Sequence, residues 1–290
     1  MSGATPTLLR RRLGAILKTM RMRAGLNLAD AAELLGLYGA PTLSKIENGK
    51  QRPDLDAFLS VYGVDDPVQV AETRKIAEIA SASRQQSLFA QYRDVIRPRL
   101  ADFIELEQLA SRADLYAAAL VPGLLQTPEF AHALIGGDIT WKTAREARAF
   151  TELRMKRQEI LTARPGTAPR SPLMLRCVLD EACLRREVGG PAILRGQLER
   201  LVDASQEANI ELQVIPFKAG AHTGLDGAYT VFHFEVGDPV VAVEPLSTSL
   251  YVEEDDQVAR YAVAFDRLRS QALEPDASRD FIARVAKETR

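Results

Sequence analysis

Apolar positions recur at the spacing of an α-helix through the first 62 residues, and glycine, proline and cap residues divide them into four helices. The first predicted helix covers residues 8–23, where a Leu, Ile or Met returns at every third or fourth position. The second helix follows the cap residue Asn27, the third begins at Pro41, and the fourth opens at Pro53-Asp54. The pattern therefore predicts a small all-helical head.

Beyond this head, the pattern changes at about residue 111, where short β-rich runs begin to alternate with helices. Before that point, residues 68–83 are predicted to be helical, and helices continue to about residue 110 with a break or kink at Pro98. The predicted strands are residues 173–179, 210–217, 228–235, 240–244 and 249–252. The predicted helices after residue 111 are residues 140–163, 191–208, 256–273 and 276–288.

These patterns predict an α+β protein in three parts. Residues 1–63 form an all-α domain, residues 64–110 a helical connector, and residues 111–290 a mixed domain. The sheet of the mixed domain is expected to be mainly antiparallel, because short turns join its last three strands. A helical connector can also pack two subunits together, so we expect a homodimer with part of its interface there.

Charge is distributed unevenly along the chain. The 290 residues carry a formal net charge of −2, yet residues 1–62 contain nine Lys or Arg against five acidic residues. A local basic face can engage phosphate whatever the charge of the whole chain. No apolar run reaches the ~20 residues that span a bilayer, and the N-terminus lacks the apolar core of a secretory signal. We therefore expect a cytoplasmic protein without a membrane partner.

Two short helices joined by a tight turn lie in the segments AGLNLADAAELLG (24–36) and APTLSKIENGKQRP (40–53). These segments resemble the Cro/repressor-like (XRE) helix-turn-helix family, whose Ile-Ser-x-Ile-Glu-x-Gly motif corresponds to LSKIENG at 43–49. The resemblance implies that double-stranded DNA is the partner and that the third helix enters the major groove. It also implies an ion pair between Arg21 and Glu47.

The same resemblance implies a set of polar and basic DNA contacts on the second helix, the third helix and the turn after it. The candidates are Asn27, Lys50 and Arg52 for phosphates, and Thr42, Ser44 and Lys45 for bases or phosphates. Near the N-terminus, Arg10 and Arg11 can reach an adjacent phosphate or a minor groove. The head is therefore expected to bind DNA and to perform no chemistry.

The head departs from the family pattern at the turn before the third helix. One additional residue lies between Gly36 and Glu47, so residues 37–41 must form a longer turn that can tilt the recognition helix. The positions that usually read bases are then Ala40 and Pro41, and neither side chain offers two hydrogen-bonding groups. Ala40 can contact a thymine methyl group. We expect weak base readout by one monomer, compensated by dimerisation, DNA shape or a second protein.

Four segments of the mixed domain resemble a second family. They are residues 120–134, 178–201, 210–234 and 249–273. They look like the C-terminal domain that follows a Cro-type head in actinobacterial regulators of the WhiJ-like, antitoxin-like class. The resemblance implies a transcriptional regulator whose C-terminal domain senses a ligand or docks a small modulating protein encoded nearby. The alternative is an antitoxin-like protein that mainly binds and neutralises a small partner, with DNA binding secondary.

The most enzyme-like cluster is His222 with Asp226, because a His near a carboxylate can transfer protons. Nothing nearby completes a catalytic set, and a glycine-rich turn explains both residues as partners of the backbone. We expect no catalytic residue and no cofactor, and the three histidines match no metal spacing. This loop and the elbow at 120–130 either belong to the core or line a ligand or partner pocket with Phe217, His222, Asp226 and Tyr229.

Overall fold

The computed structural model of the protein divides into two compact units. It describes residues 8–81, 92, 98–137, 143–162, 171–243 and 250–290. Of these, residues 8–81, 101–109 and 234–237 belong to the first unit, and the others belong to the second unit. Of the predicted helical stretch at 84–97, every residue except residue 92 lies outside the described residues.

The first unit is built mainly from helices. They are α1 (Leu8–Arg23), α2 (Leu28–Leu34), α3 (Ala40–Glu47), α4 (Leu55–Val61), α5 (Pro67–Ser81) and most of α6 (Pro98–Leu109). The α1 helix packs against α3 and α5, and Leu17, Leu43 and Phe58 are among the buried side chains. The predicted head helices are confirmed to within two residues at each end. The α6 helix begins at Pro98, where the sequence predicts a break, because proline lacks an amide donor but fits a first helical position.

The second unit combines a sheet with helices. Its strands are β1 (Arg112–Ala117), β2 (Met174–Asp180), β3 (Ile210–Ile215), β4 (Tyr229–His233), β5 (Val240–Val243) and β6 (Leu250–Val252). Its helices are α7 (Pro128–Gly136), α8 (Ala144–Arg157), α9 (Glu181–Arg185), α10 (Pro191–Ala204), α11 (Asp255–Gln271) and α12 (Pro275–Glu288). The prediction of an α+β protein with a helical N-terminal part is therefore confirmed.

In the strand order β3-β2-β1-β4-β5-β6, two strand pairs are parallel and three are antiparallel. β1 pairs with β2, and β2 with β3, in parallel. On its other edge β1 pairs antiparallel with β4, and β5 and β6 continue in the same way. The described sheet is mainly antiparallel, as predicted. The strand at which the parallel and antiparallel pairs meet, β1, is absent from the strands predicted from the sequence.

A buried carboxylate joins three strands near the centre of the sheet. Asp114 on β1 accepts a hydrogen bond from Arg176 Nε on β2 at 2.6 Å, and Arg112 Nε lies 3.2 Å from the same oxygen. His233 Nε2 on β4 lies 2.8 Å from the second carboxylate oxygen. Burial raises the pKa of Asp114, but the contacts with His233 and Arg176 outweigh burial and lower that pKa to about 2. Asp114 is therefore ionised at neutral pH.

Candidate nucleic-acid interface

The α2 and α3 helices are joined by a five-residue turn and have well-defined ends. The Asn27 side chain caps α2 by accepting hydrogen bonds from the amides of Ala29 and Asp30 at 2.8 and 3.0 Å. The α3 helix starts after Gly39 and ends at Glu47, and the Lys50 amide beyond it donates to the Lys45 carbonyl at 2.8 Å. This bond and the left-handed backbone of Gly49 form the C-terminal motif that stops a helix.

One face of α3 is buried and the opposite face points to solvent. Leu43, Ile46 and Glu47 form the buried face. Thr42 and Lys45 are three residues apart and therefore lie together on the outward face. Thr42 is half-buried and Lys45 is exposed. This outward face offers a hydroxyl and an ammonium group.

Two lysines at the end of α3 have no partner among the described residues. The ammonium groups of Lys45 and Lys50 are exposed and make no hydrogen bond or ion pair there. Arg52 is also exposed, and Arg10 Nε donates to the Ala80 carbonyl at 3.3 Å. An unpaired ammonium group is fully available to a phosphate oxygen. Lys45 and Lys50 are therefore the best placed cations for a polyanion.

The other predicted contact residues lie in the same region with different surroundings. The Asn27 amide is exposed but is engaged in capping α2, and its Nδ2 also donates to Asp30 at 2.7 Å. Ser44 is half-buried, and its hydroxyl lies 3.3 Å from the Asn48 side-chain amide. Ala40 is the first residue of α3 and is half-buried, as is Arg11 on α1. Asn27 can therefore meet a phosphate through the N-terminus of α2 without changing its cap.

A buried ion pair holds α3 to α1. Arg21 Nε donates to Glu47 Oε1 at 2.6 Å, and Nη2 donates to Oε2 at 3.1 Å. Arg21 Nη1 also donates to the Leu26 carbonyl at 2.8 Å. The hydrogen bond to Glu47 raises the pKa of Arg21 despite burial, so the guanidinium remains charged. The structure thus places these two residues in the contact that the resemblance implies.

The main chains of α1 and α3 also meet directly. Gly14 of α1 lies against the last turn of α3, so that a Cβ atom there would overlap the Glu47 carbonyl. Gly49 lies against α1, where a Cβ atom would come within 2.6 Å of the Arg10 carbonyl carbon. Only glycine allows both approaches, since any side chain would push the two helices apart. This contact fixes the position of α3 through the backbone.

The turn before α3 contains a residue that is not among the sequence-predicted contacts. Tyr38 is 101% exposed, and it lies two residues before Ala40, the start of α3. Glycines with positive φ at positions 36 and 39 bound the turn on either side of it. In the sequence, the additional residue between Gly36 and Glu47 could have indicated this exposed side chain, because it lengthens the turn. Tyr38 therefore belongs to the same surface as the residues that open α3.

The four candidate residues of the second unit lie in different surroundings. Phe217 is an exposed residue in a short 3₁₀ turn. His222 is turned inward: its Nδ1 accepts from the Gly224 amide at 3.2 Å, and its Nε2 lies 3.5 Å from Asp180. Asp226 and Tyr229 line one cavity, described below. Asp226 is thus not the carboxylate that faces His222.

The elbow at 120–130 is tied to its neighbours by buried amide side chains. Gln126 Nε2 donates to the Val121 carbonyl at 2.7 Å, and Gln197 on α10 binds both the Thr127 amide and the Leu125 carbonyl. These bonds satisfy polar groups inside the fold. These contacts indicate a structural role for the elbow.

Two short helices joined by a turn, with an outward basic edge, define a helix-turn-helix DNA-binding protein. A family model described as a helix-turn-helix domain matches residues 12–72. A second model, described as a domain of unknown function (DUF5753), matches residues 100–284. The chain belongs to this DUF5753 family, since the match covers more than half of it. No curated protein and no solved structure matches the chain.

These matches support a DNA-binding regulator, and they assign no activity to the second unit. Neither the WhiJ-like nor the antitoxin-like class follows from them. In the part of the chain that the structure describes, no helix is both long and apolar enough to cross a membrane. The same residues contain no group of three His, Cys, Asp or Glu side chains arranged to hold a metal ion.

Proposed function

We propose that the protein is a sequence-specific, DNA-binding transcriptional regulator that acts in the cytoplasm. The α3 helix enters the major groove, with Thr42 and Lys45 facing the bases and the adjacent phosphates. Lys50 and Arg52 bind the backbone on one side, and the N-terminus of α2 binds it on the other. The observation that carries the proposal is the pair of exposed, unpartnered ammonium groups of Lys45 and Lys50, among the described residues, on a helix-turn-helix scaffold.

The second unit serves, in this proposal, as a sensor of a ligand or as the docking site of a small protein of the WhiJ-like or antitoxin-like kind. A cavity lined by Asp226 and Tyr229 supports a sensing role. We assign no catalysis to the chain, because the inward His222 bonds to the backbone amide of Gly224 and packs edge-on against Tyr116, with ring centroids 6.0 Å apart.

The regulator is proposed to act as a homodimer, because two recognition helices about 34 Å apart read two half-sites one helical turn apart. We place part of the dimer contact within residues 64–110, next to the head. Light scattering of the purified protein at micromolar concentration tests this part of the proposal. A dimer is expected, and a monomeric mass would contradict it.

Fluorescence anisotropy tests the proposal with a labelled duplex from the region upstream of the protein's own gene. Wild-type protein is expected to bind this duplex more tightly than a scrambled one, with an affinity that falls as salt rises. Lys45→Ala and Lys50→Ala should each make the dependence of log affinity on log salt shallower by about 0.9. Lys287→Ala, which removes an exposed lysine on α12, is the matched control and should leave the slope unchanged.

Two outcomes would overturn the proposal. One is equal affinity for the upstream and the scrambled duplex, which would favour a protein whose main partner is another small protein. The other is an unchanged salt slope in both lysine variants, because the proposed face would then make no phosphate contact.

A further inference from the structure

A cavity of about 340 Å³ opens in the second unit between α11 and the loop that precedes β4. The loop is held in place by Thr223, whose hydroxyl donates to the Ala264 carbonyl of α11 at 3.0 Å. Val243, Ala228 and Ala264 supply apolar walls, and the ring of Tyr261 lines the same space. Ligand pockets span about 300–1,000 Å³, so this cavity suits a small molecule of amino-acid size.

Tyr229, which also lines the cavity, belongs at the same time to the buried core of the second unit. Tyr229 on β4 is 6% exposed, and its hydroxyl makes no hydrogen bond in the described part of the protein. The ring packs against Tyr116 and Tyr261, with centroids 6.1 and 4.9 Å away. Burial raises the pKa of Tyr229 well above its ordinary value, so the hydroxyl keeps its proton and can donate it. The hydroxyl oxygen has less than 1 Å² of accessible surface, so a ligand in the open cavity meets other parts of this residue.

Two opposite charges line the same cavity and are also unpaired within the described part of the chain. Asp226 lies on the loop and Arg260 lies on α11, and both side chains are exposed. Neither makes an ion pair or a side-chain hydrogen bond to any other described residue. A guanidinium group binds a carboxylate through two parallel hydrogen bonds, and a carboxylate binds an ammonium group. The opening thus presents one site for each charge of a zwitterion.

We propose that this cavity binds a free α-amino acid, with its carboxylate on Arg260, its ammonium group on Asp226 and its side chain against the apolar walls and Tyr261. This inference rests on the proposed function, since it identifies the ligand class that the sensor recognises. The apolar walls contact the aliphatic part of the ligand side chain. Amino acids with an apolar side chain are therefore preferred over those with a charged one.

Thermal unfolding of the full-length protein tests the proposal with the twenty proteinogenic L-amino acids as probes, added one at a time. A ligand in tenfold excess over its Kd should raise the Tm by about 3 °C or more. The N-acetyl and the carboxamide derivatives of the same amino acid each lack one charge and should give a much smaller shift. If none of the twenty raises the Tm, or if both derivatives shift it equally well, the proposal is wrong.

One variant and its matched control locate the site. Arg260→Ala should weaken binding at least about tenfold, a loss typical of a removed ligand hydrogen bond. Arg267→Ala removes an exposed arginine of the same helix whose side chain has no partner among the described residues. This control should bind like wild type. An undiminished shift in Arg260→Ala would place the ligand elsewhere and overturn the proposal.

The DNA-binding measurement on the same preparation separates this inference from the proposed function. Selective DNA binding without any amino-acid shift would overturn the ligand assignment alone. An amino-acid shift that depends on Arg260, in a protein without selective DNA binding, would leave the cavity assignment standing and overturn the regulator proposal.

Discussion

The carboxylate of Glu47 at the end of α3 receives two hydrogen bonds from the guanidinium of Arg21 on α1, at 2.6 and 3.1 Å. Both side chains are buried, so the pair is shielded from water and salt. Breaking one half of such a pair leaves an uncompensated charge in the interior. The position of the proposed recognition helix therefore depends on this pair.

Glu47→Gln is expected to lower the free energy of unfolding by about 3–5 kcal/mol, because the Arg21 charge would stay buried without its counter-charge. Urea unfolding followed by circular dichroism measures the change. The control is Arg74→Ala, which removes an ion pair with Asp56 in which both side chains are largely exposed. That variant should lose less than about 1 kcal/mol. Equal losses in the two variants would contradict the structural role of the buried pair.

The lowered pKa of Asp114 predicts that the second unit loses stability at acid pH. Its pKa of about 2 in the folded protein lies below the ordinary value of 3.8, so its contribution is complete above the ordinary value. The contribution, about 2 kcal/mol, is lost as the pH falls from about 4 through about 2. Asp114→Asn should be less stable than wild type at neutral pH. The difference should shrink toward pH 2, and a constant difference would contradict the prediction.

Gly14→Ala tests the backbone contact between α1 and α3. The new methyl group would overlap the Glu47 carbonyl, and overpacking of this kind costs about 1–3 kcal/mol. The matched control is Gly196→Ala on α10, where a Cβ atom would meet no described atom outside its own stretch of helix within 4 Å. That variant should gain up to about 1 kcal/mol from helix propensity. Stabilisation by both substitutions would show that the close approach at Gly14 is absent.

Tyr38 is expected to contact DNA through its hydroxyl group. Tyr38→Ala and Tyr38→Phe should each weaken binding to the upstream duplex by about tenfold, since a hydrogen bond to a phosphate contributes about 1–2 kcal/mol. Neither should change the Tm, because the side chain is fully exposed. Anisotropy titrations measure the affinity. Full affinity in Tyr38→Phe together with a loss in Tyr38→Ala would assign the contact to the ring instead.

The helices of the head could be predicted because each carries its own local signals. An apolar stripe marks α1, Asn27 caps α2, and Asp54 caps α4 by accepting from the Ala57 amide. The strand β1 has no comparable signal: RADLYA is short, and its Arg112 and Asp114 interrupt the apolar run. Its place in the sheet depends on its pairing with β2 and β4. The residues of these strands that pair with Asp114 lie 62 and 117 residues further along the chain.

The residues that line the cavity could not be grouped from the sequence either. His222 and Asp226 are neighbours in sequence, but the turn between them sends the imidazole inward and the carboxylate to the cavity. Arg260 comes from a helix about thirty residues later, and no spacing in the sequence relates it to Tyr229. Such pairings arise from tertiary packing alone, which a local pattern does not encode.

Because α1 and α3 meet closely at Gly14 and Gly49, one face of α3 anchors the helix while the opposite face stays free for binding. The backbone and the buried face of α3 hold the helix in place, while Thr42 and Lys45 on the opposite face take no part in that anchoring. In the binding mode that we propose, substitutions at these outward positions change the preferred DNA sequence without disturbing the fold. On that proposal, the head can acquire a new operator during evolution through single substitutions on its surface.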